Sequence, residues 1–151
     1  MNMNMNMNTN TNTNENPAQD WAMLAGRLLL AALFLPAGIG KAMALAGTAG
    51  YIASKGLPAP MLLAGATAAM EIAASLALIA GWRVRWAALA LCGFTLLAGL
   101  LFHDFWAAAP EMAMAQRQAF FKNIGIAGGL LVLAAAGAGR IALDARRGAN
   151  T

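Results

Sequence analysis

The stretch MLLAGATAAMEIAASLALIA, from Met61 to Ala80, decides the fold. Alanine and leucine fill most of it, and it is long enough to cross a hydrocarbon core of about 30 Å as a helix. Its one ionisable residue, Glu71, lies about 15 Å along the helix axis from Met61, near the middle. Because a helix satisfies its backbone hydrogen bonds internally, as lipid requires, the stretch predicts a transmembrane helix.

Three further apolar blocks have a similar length: Trp21 to about Ala46, Trp86–Phe102 and Phe120–Ala138. The chain of 151 residues is 60% hydrophobic and only 11% charged, whereas soluble domains carry about 25% charged residues. So few charges cannot cover a water-facing surface. The sequence predicts an all-α membrane protein, an antiparallel bundle of four transmembrane helices joined by short connections. Glycines within the blocks favour close helix packing.

Three segments follow from the composition. Residues 1–20, which begin MNMNMNMNTNTNTNEN, are predicted to be a disordered low-complexity tail. Alternatively, residues 1–16 are an artefact of a translation start assigned upstream of the native one. Residues 21–144 form the predicted four-helix domain, and residues 145–151 form a short basic C-terminal tail.

The positive charges predict an orientation. With four helices both ends of the chain lie on one side, and the positive-inside rule assigns that side to the cytoplasm. Tryptophans at the block boundaries suit the headgroup level of the bilayer. The predicted cytoplasmic cations are Arg27, Arg83, Arg85, Arg140, Arg146 and Arg147; on the other side are Lys41, Lys55, Arg117 and Lys122, partly offset by Asp104 and Glu111.

Ionisable residues inside apolar blocks mark the candidate site. Such residues cost at least about 2.5–3.5 kcal/mol at the bilayer centre, so they face the bundle interior and find partners. Glu71 is the clearest case. Under the predicted topology one polar region at the outer end deepens to Glu71, whereas Arg27 lies toward the cytoplasm and either snorkels or reaches Glu71 from below. The members of the outer region are Lys41, His103, Asp104, Lys122 and Asn123.

Each of these residues also has a structural interpretation. A structural ion pair explains Glu71 as well as a functional role does. Interfacial anchoring explains Lys41 and Lys122 without any ligand. The stretch LFHDFW, Leu101–Trp106, is typical of a helix leaving a membrane, with His103 expected to turn back toward the polar region. Asp104 is poorly placed to orient His103, because consecutive helical residues do not face each other.

The order and spacing of several motifs resemble those of the DoxX family of small bacterial and archaeal membrane proteins. The similarity runs from about Ala25 to Asp144 and implies a four-helix protein of the bacterial cytoplasmic (inner) membrane. The family's recurrent polar positions correspond to a possible site rather than to established catalytic residues: Arg27, Lys41, Glu71, His103, Lys122 and Asn123. The motifs are FLPAGIGK, YIASKGLPAP, LFHDFW, FFKN, GGLL and GAGRIALD, with Glu71 between the second and the third.

The resemblance implies a quinone-associated subunit or membrane partner of an oxidoreductase system. A quinone is the candidate cofactor, with no covalent cofactor and no metal expected. One cysteine and one histidine exclude bis-histidine haem ligation within one chain, so electrons must come from a bound organic cofactor or a partner. The alternatives are a non-enzymatic membrane scaffold and a small proton-coupled carrier built around Glu71. Expected partners are the lipid bilayer, an oxidoreductase subunit and further copies of the chain, but no nucleic acid.

Overall fold

The computed structural model describes residues 17–148, which form six helices and no strand. Four helices are long and apolar enough to span a membrane. The prediction of an all-α, four-helix membrane protein is confirmed. The predicted tail of residues 1–16 and residues 149–151 lie outside the described residues. The helices are α1 (Pro17–Met43), α2 (Leu45–Ser54), α3 (Pro60–Ala80), α4 (Val84–Phe102), α5 (Pro110–Ala136) and α6 (Leu143–Gly148).

The helix boundaries differ from the apolar blocks. Residues 17–20, assigned from the sequence to the tail, form the first turn of α1, and α5 begins ten residues before its predicted block. Both helices start at a proline, which is preorganised for a first helical position. Residues 110–119, which include Glu111, Gln116 and Arg117, add nearly three helical turns before the apolar block. Hydropathy therefore located the membrane span but not the ends of the helices.

Two short helices were not predicted. Helix α2 occupies residues treated as a continuation of the first block and a loop, and α6 extends into the predicted basic tail. The ten residues of α2 are too few to cross a bilayer. Helix α2 packs against α3 through Ala49, Ile52 and Ala64. It therefore adds a layer of side chains beside the C-terminal end of α1 and the N-terminal end of α3.

The long helices pack as antiparallel pairs. Gly38, late in α1, lies against Glu71 and Ile72 in the middle of α3, whereas Arg27, early in α1, lies at Gly81 just after α3 ends. Cys92 of α4 contacts the carbonyl oxygen of Ala127 in α5 at 3.6 Å. The core between the pairs is made largely of alanines and leucines, including Leu78, Leu91 and Leu130. Large apolar side chains also cover the outside, as lipid contact requires.

The bundle has two distinct ends. The start of α1, the turn at 81–83 and residues 137–148 meet at one end, which we call the Arg27 end. The end of α1, α2 and the loop at 103–109 meet at the other, which we call the His103 end. Both described ends of the chain lie at the Arg27 end, as predicted; which side of the membrane this end faces stays a prediction.

Candidate functional site

An ion pair links α1 to the centre of α3. Lys41 Nζ lies 2.8 Å from both carboxylate oxygens of Glu71. The side chain of Glu71 is 1% exposed and that of Lys41 is 31% exposed. The carboxylate is thus enclosed, while the ammonium group keeps one face open. A buried carboxylate with a cation in this geometry satisfies the requirement for pairing within a membrane.

Gly38 brings the two helices close enough for this pair. A methyl group in place of its hydrogen would lie 3.0 Å from both Glu71 Cβ and Ile72 Cγ1, and 3.1 Å from the backbone nitrogen of Ile72. Small residues let membrane helices approach in this way. Because Lys41 follows Gly38 by one helical turn, it extends along the same face of α1 to the carboxylate.

The ion pair opens into a cavity of about 390 Å³. Its walls are mostly aliphatic and aromatic side chains of α2, α3 and α4, and its polar groups come from Lys41, Glu71, His103, Thr48, Tyr51 and Thr67. Mostly apolar pockets of about 300–1,000 Å³ with a few convergent polar groups are typical of small-molecule sites. Tyr51 stacks on Phe102 with ring centroids 5.2 Å apart, which fixes one wall.

His103 reaches the cavity at the C-terminal end of α4. Its Nδ1 lies 3.0 Å from Oε1 of Gln116, on α5. Because an amide oxygen only accepts, this orientation of the amide puts the hydrogen on Nδ1 and leaves Nε2 as the acceptor in the neutral ring. His103 thus lies in the wall of the cavity that also contains Lys41 and Glu71.

Asp104 has a different partner from His103. Its Oδ1 accepts a hydrogen bond of 2.8 Å from Lys55 Nζ. That hydrogen bond holds the pKa of Asp104 below its ordinary value and raises the pKa of Lys55. Asp104 therefore ties the end of α2 to the loop after α4.

Three of the predicted site residues lie elsewhere. Lys122 is exposed on α5, and it has no hydrogen-bond or ion-pair partner within residues 17–148. Asn123 packs beside Gly99 of α4 and does not line the cavity. Arg27 lies at the opposite end of the bundle. The expected single region with contributions from all four long helices is thus wrong in its geometry, because α5 turns Lys122 outward and α2 supplies the wall instead.

Arg27 neither snorkels to solvent nor reaches Glu71. Its side chain is 0% exposed, and its Nη2 donates a hydrogen bond of 2.6 Å to the carbonyl oxygen of Ile141. Asp144 is the carboxylate whose charge acts on this guanidinium. The oxygens of Asp144 also accept hydrogen bonds from the backbone nitrogens of Arg83 and Val84, at 3.0 and 3.2 Å. These contacts close the Arg27 end and give Arg27 a role in holding it together.

The sequence did not point to four residues around the cavity. Thr48 and Tyr51 belong to α2, which is too short and too rich in glycine and alanine to be distinguished from a loop. Thr67 lies on α3, one helical turn before Glu71, and this spacing is the signal that indicates a shared face. Gln116 lies on the polar extension of α5. Within residues 17–148, no group of three or more His, Cys, Asp or Glu side chains is arranged to hold a metal ion.

Comparison with known proteins identifies relatives along most of the chain. The DoxX family model matches residues 22–104, and the SURF4 family model matches residues 66–149. The chain is 37% identical over 126 residues to the inner membrane protein YqjF of Escherichia coli, covering 83% of this chain and 92% of the relative. It is 33% identical over 129 residues to the inner membrane protein YphA of the same organism, covering 85% and 92%. No solved structure matches the chain.

Proposed function

Because the chain belongs to the DoxX family of membrane proteins, we propose that it binds a quinone headgroup in the cavity beside Lys41 and Glu71, as a membrane subunit or partner of an oxidoreductase system. The observation that carries this proposal is the Lys41–Glu71 ion pair, in which Glu71 is buried and Lys41 is partly exposed, at the wall of a mostly apolar cavity of about 390 Å³. An apolar ring with two carbonyl oxygens matches such a space, since the ring contacts the walls and the oxygens need a small number of donors.

Lys41 has one donor left for a ligand. An ammonium group carries three N–H donors, and two of them are directed to the carboxylate oxygens of Glu71. The third can donate to a quinone carbonyl oxygen in the cavity. Glu71 orients the ammonium group, so its contribution to binding passes through Lys41.

His103 provides a second polar contact at the cavity wall. The hydrogen bond to Gln116 fixes the imidazole ring, and Nε2 then accepts a hydrogen bond from a quinol hydroxyl or donates one when the ring is protonated. Reduction of a quinone to a quinol takes up two electrons and two protons. His103 and the Lys41–Glu71 pair are the groups that hold protons beside the ring, and the electrons come from the partner oxidoreductase.

The assigned location follows from the relatives. YqjF and YphA are named as inner membrane proteins, and we assign this chain to the same membrane. The Arg27 end faces the cytoplasm in this proposal, because Arg83 and Arg85 lie there and basic residues are retained on that side. The cavity at the His103 end is then in the outer half of the bilayer.

Quinone retention tests the proposal. Wild type and the variants Lys41→Gln and Glu71→Gln are extracted in mild detergent, and co-purifying quinones are quantified by mass spectrometry. Lys122→Gln is the matched control, because it removes one lysine charge on the exposed face of α5. We expect quinone in the wild type and in the control, and at least a tenfold loss in both cavity variants, with helical content unchanged by circular dichroism.

Two results would contradict the proposal. Equal quinone retention by all four proteins would indicate general partitioning into the micelle. Absence of quinone from every folded sample, together with a partner protein that leaves the membrane only when the whole chain is deleted, would support the scaffold alternative. The carrier alternative would require a pH-dependent solute flux in liposomes that Glu71→Gln abolishes.

A further inference from the structure

A second cavity lies at the Arg27 end, at the opposite end of the bundle from the proposed quinone site. Its volume is about 490 Å³. Its walls come from Arg83, Arg85 and Trp86 at the start of α4, from residues 136–139 at the end of α5, and from Asp144 and Ala145 of α6. Two regions of the chain that are distant in sequence, residues 83–86 and residues 136–145, therefore form one basic cavity.

The arginine side chains in this cavity, Arg83 and Arg85, have no acceptor in the described part of the chain. Neither guanidinium group has a hydrogen-bond or ion-pair partner among residues 17–148, and both side chains are exposed. Arg85 lies over Gly137, where an added methyl group would be 3.3 Å from its Nε. The glycine thus leaves room for the guanidinium. The guanidinium carbon of Arg83 lies 5.9 Å from the ring centroid of Trp82, which orients it.

The acidic residue in the cavity does not cancel this charge. Asp144 is already engaged, because it accepts hydrogen bonds from the backbone nitrogens of Arg83 and Val84. Its charge is also opposed by the buried guanidinium of Arg27. The cavity wall carries two arginines and one aspartate, so its net charge is positive.

The cavity lies at the depth of lipid headgroups. Trp86, in its wall, is 69% exposed, and exposed tryptophans at the ends of transmembrane helices lie at the membrane interface. Guanidinium groups bind phosphate oxygens through paired N–H donors, a geometry that matches them better than a lysine ammonium does. Basic pockets between transmembrane helices bind the headgroups of anionic lipids.

We propose that Arg83 and Arg85 form a binding site for a phosphate group, carried by the headgroup of an anionic phospholipid. The two guanidinium groups bind the phosphate oxygens, and Trp86 lies beside the glycerol region. This site does not depend on the proposed quinone function, because it uses different residues at the other end of the bundle.

Native mass spectrometry of the full chain in detergent, titrated with phosphatidylglycerol, tests this site. The variant Arg83→Gln/Arg85→Gln should bind the first lipid roughly 25-fold more weakly than wild type, as expected for two basic residues near an anionic headgroup. The matched control Arg117→Gln/Lys122→Gln removes the same charge outside the cavity and should change binding less than threefold. Arg83→Lys/Arg85→Lys keeps the charge without the planar fork and should give an intermediate loss.

The other arms separate the sources of phosphate and the possible failures. Phosphatidylcholine should bind at least tenfold more weakly than phosphatidylglycerol, and inorganic phosphate at 10 mM should not displace the lipid. Displacement by inorganic phosphate would support the phosphate site and assign it to a soluble phosphate compound. Equal losses in the two glutamine double variants, or equal binding of the two lipids, would overturn the proposal. If Arg83→Gln disturbs the turn, Arg85→Gln alone provides the comparison, and its failure to weaken binding would also overturn it.

Discussion

Removal of Lys41 is the most informative perturbation of the bundle. The variant Lys41→Met leaves the carboxylate of Glu71, which is 1% exposed, without its cation. Breaking a buried ion pair by removing one partner costs about 3–5 kcal/mol. The carboxyl group can instead take up a proton, and protonating a glutamate of ordinary acidity at pH 7 costs about 3.5 kcal/mol. The free energy of unfolding should therefore fall by about 3–3.5 kcal/mol at pH 7.

The same reasoning gives a pH dependence. At pH 5 the proton costs only about 1 kcal/mol, so the difference in unfolding free energy between wild type and Lys41→Met should shrink by about 2–2.5 kcal/mol. The double variant Lys41→Met/Glu71→Gln should recover most of the loss at pH 7, because neither charge remains. The control Lys122→Met should cost less than about 0.5 kcal/mol, as expected for an exposed position.

Reversible unfolding in mixed micelles, followed by circular dichroism at both pH values, measures these differences. The reasoning is refuted if Lys41→Met costs no more than Lys122→Met. It is also refuted if the cost is the same at pH 5 as at pH 7, since an unpaired carboxylate must respond to protons. If Lys41→Met/Glu71→Gln is less stable than Lys41→Met, then the Lys41 and Glu71 side chains stabilise the bundle through packing rather than through their charges.

Three further predictions concern the close contacts and the surface pair. Gly38→Ala should reduce the unfolding free energy by about 1–3 kcal/mol, because the new methyl group would contact Glu71 and Ile72. The control Gly40→Ala has open space around it and should be neutral or stabilising by up to about 1 kcal/mol. The same unfolding measurement in mixed micelles tests both variants. Gly81→Ala should reduce the unfolding free energy by about 1–3 kcal/mol more than Gly56→Ala does. Both glycines have positive φ, but only at Gly81 would the new methyl group contact Arg27 and Ala142. Equal losses of unfolding free energy would contradict the packing of the Arg27 end. Asp104→Asn should lower the melting temperature at pH 7, and this loss should shrink as the pH is lowered below 3.8. The pKa of Asp104 is held below its ordinary 3.8, so its stabilising contribution is present above that value and is lost as the pH falls through the lower folded-state pKa. A constant difference in melting temperature across this range would argue against the Lys55 hydrogen bond.

The number and type of the spanning helices were readable from the sequence because lipid imposes one strong rule on length and apolarity. Glu71 was identifiable for the same reason, since a carboxylate in an apolar block must find a partner. Helix α2 was not readable, because ten residues, most of them small, carry no periodic signal long enough to separate a helix from a loop. Hydropathy also could not distinguish Lys41 from Lys122, because the rotation of α1 and α5 about their axes depends on which neighbours they pack against. Gly38 against Glu71 sets that rotation for α1.

The hydrogen bond between Arg27 and Ile141 has a consequence for biosynthesis. The two residues are 114 positions apart in sequence, and ribosomes add about 5–20 residues per second. Arg27 therefore enters the membrane several seconds or more before its acceptor has been synthesised. During that interval α1 must keep its guanidinium hydrated near the bilayer surface, and it can settle to its final depth only when residues 141–144 arrive. A nascent chain stalled before Ile141 should consequently leave Arg27 accessible to water-soluble reagents, and its release should bury this residue in a single late step.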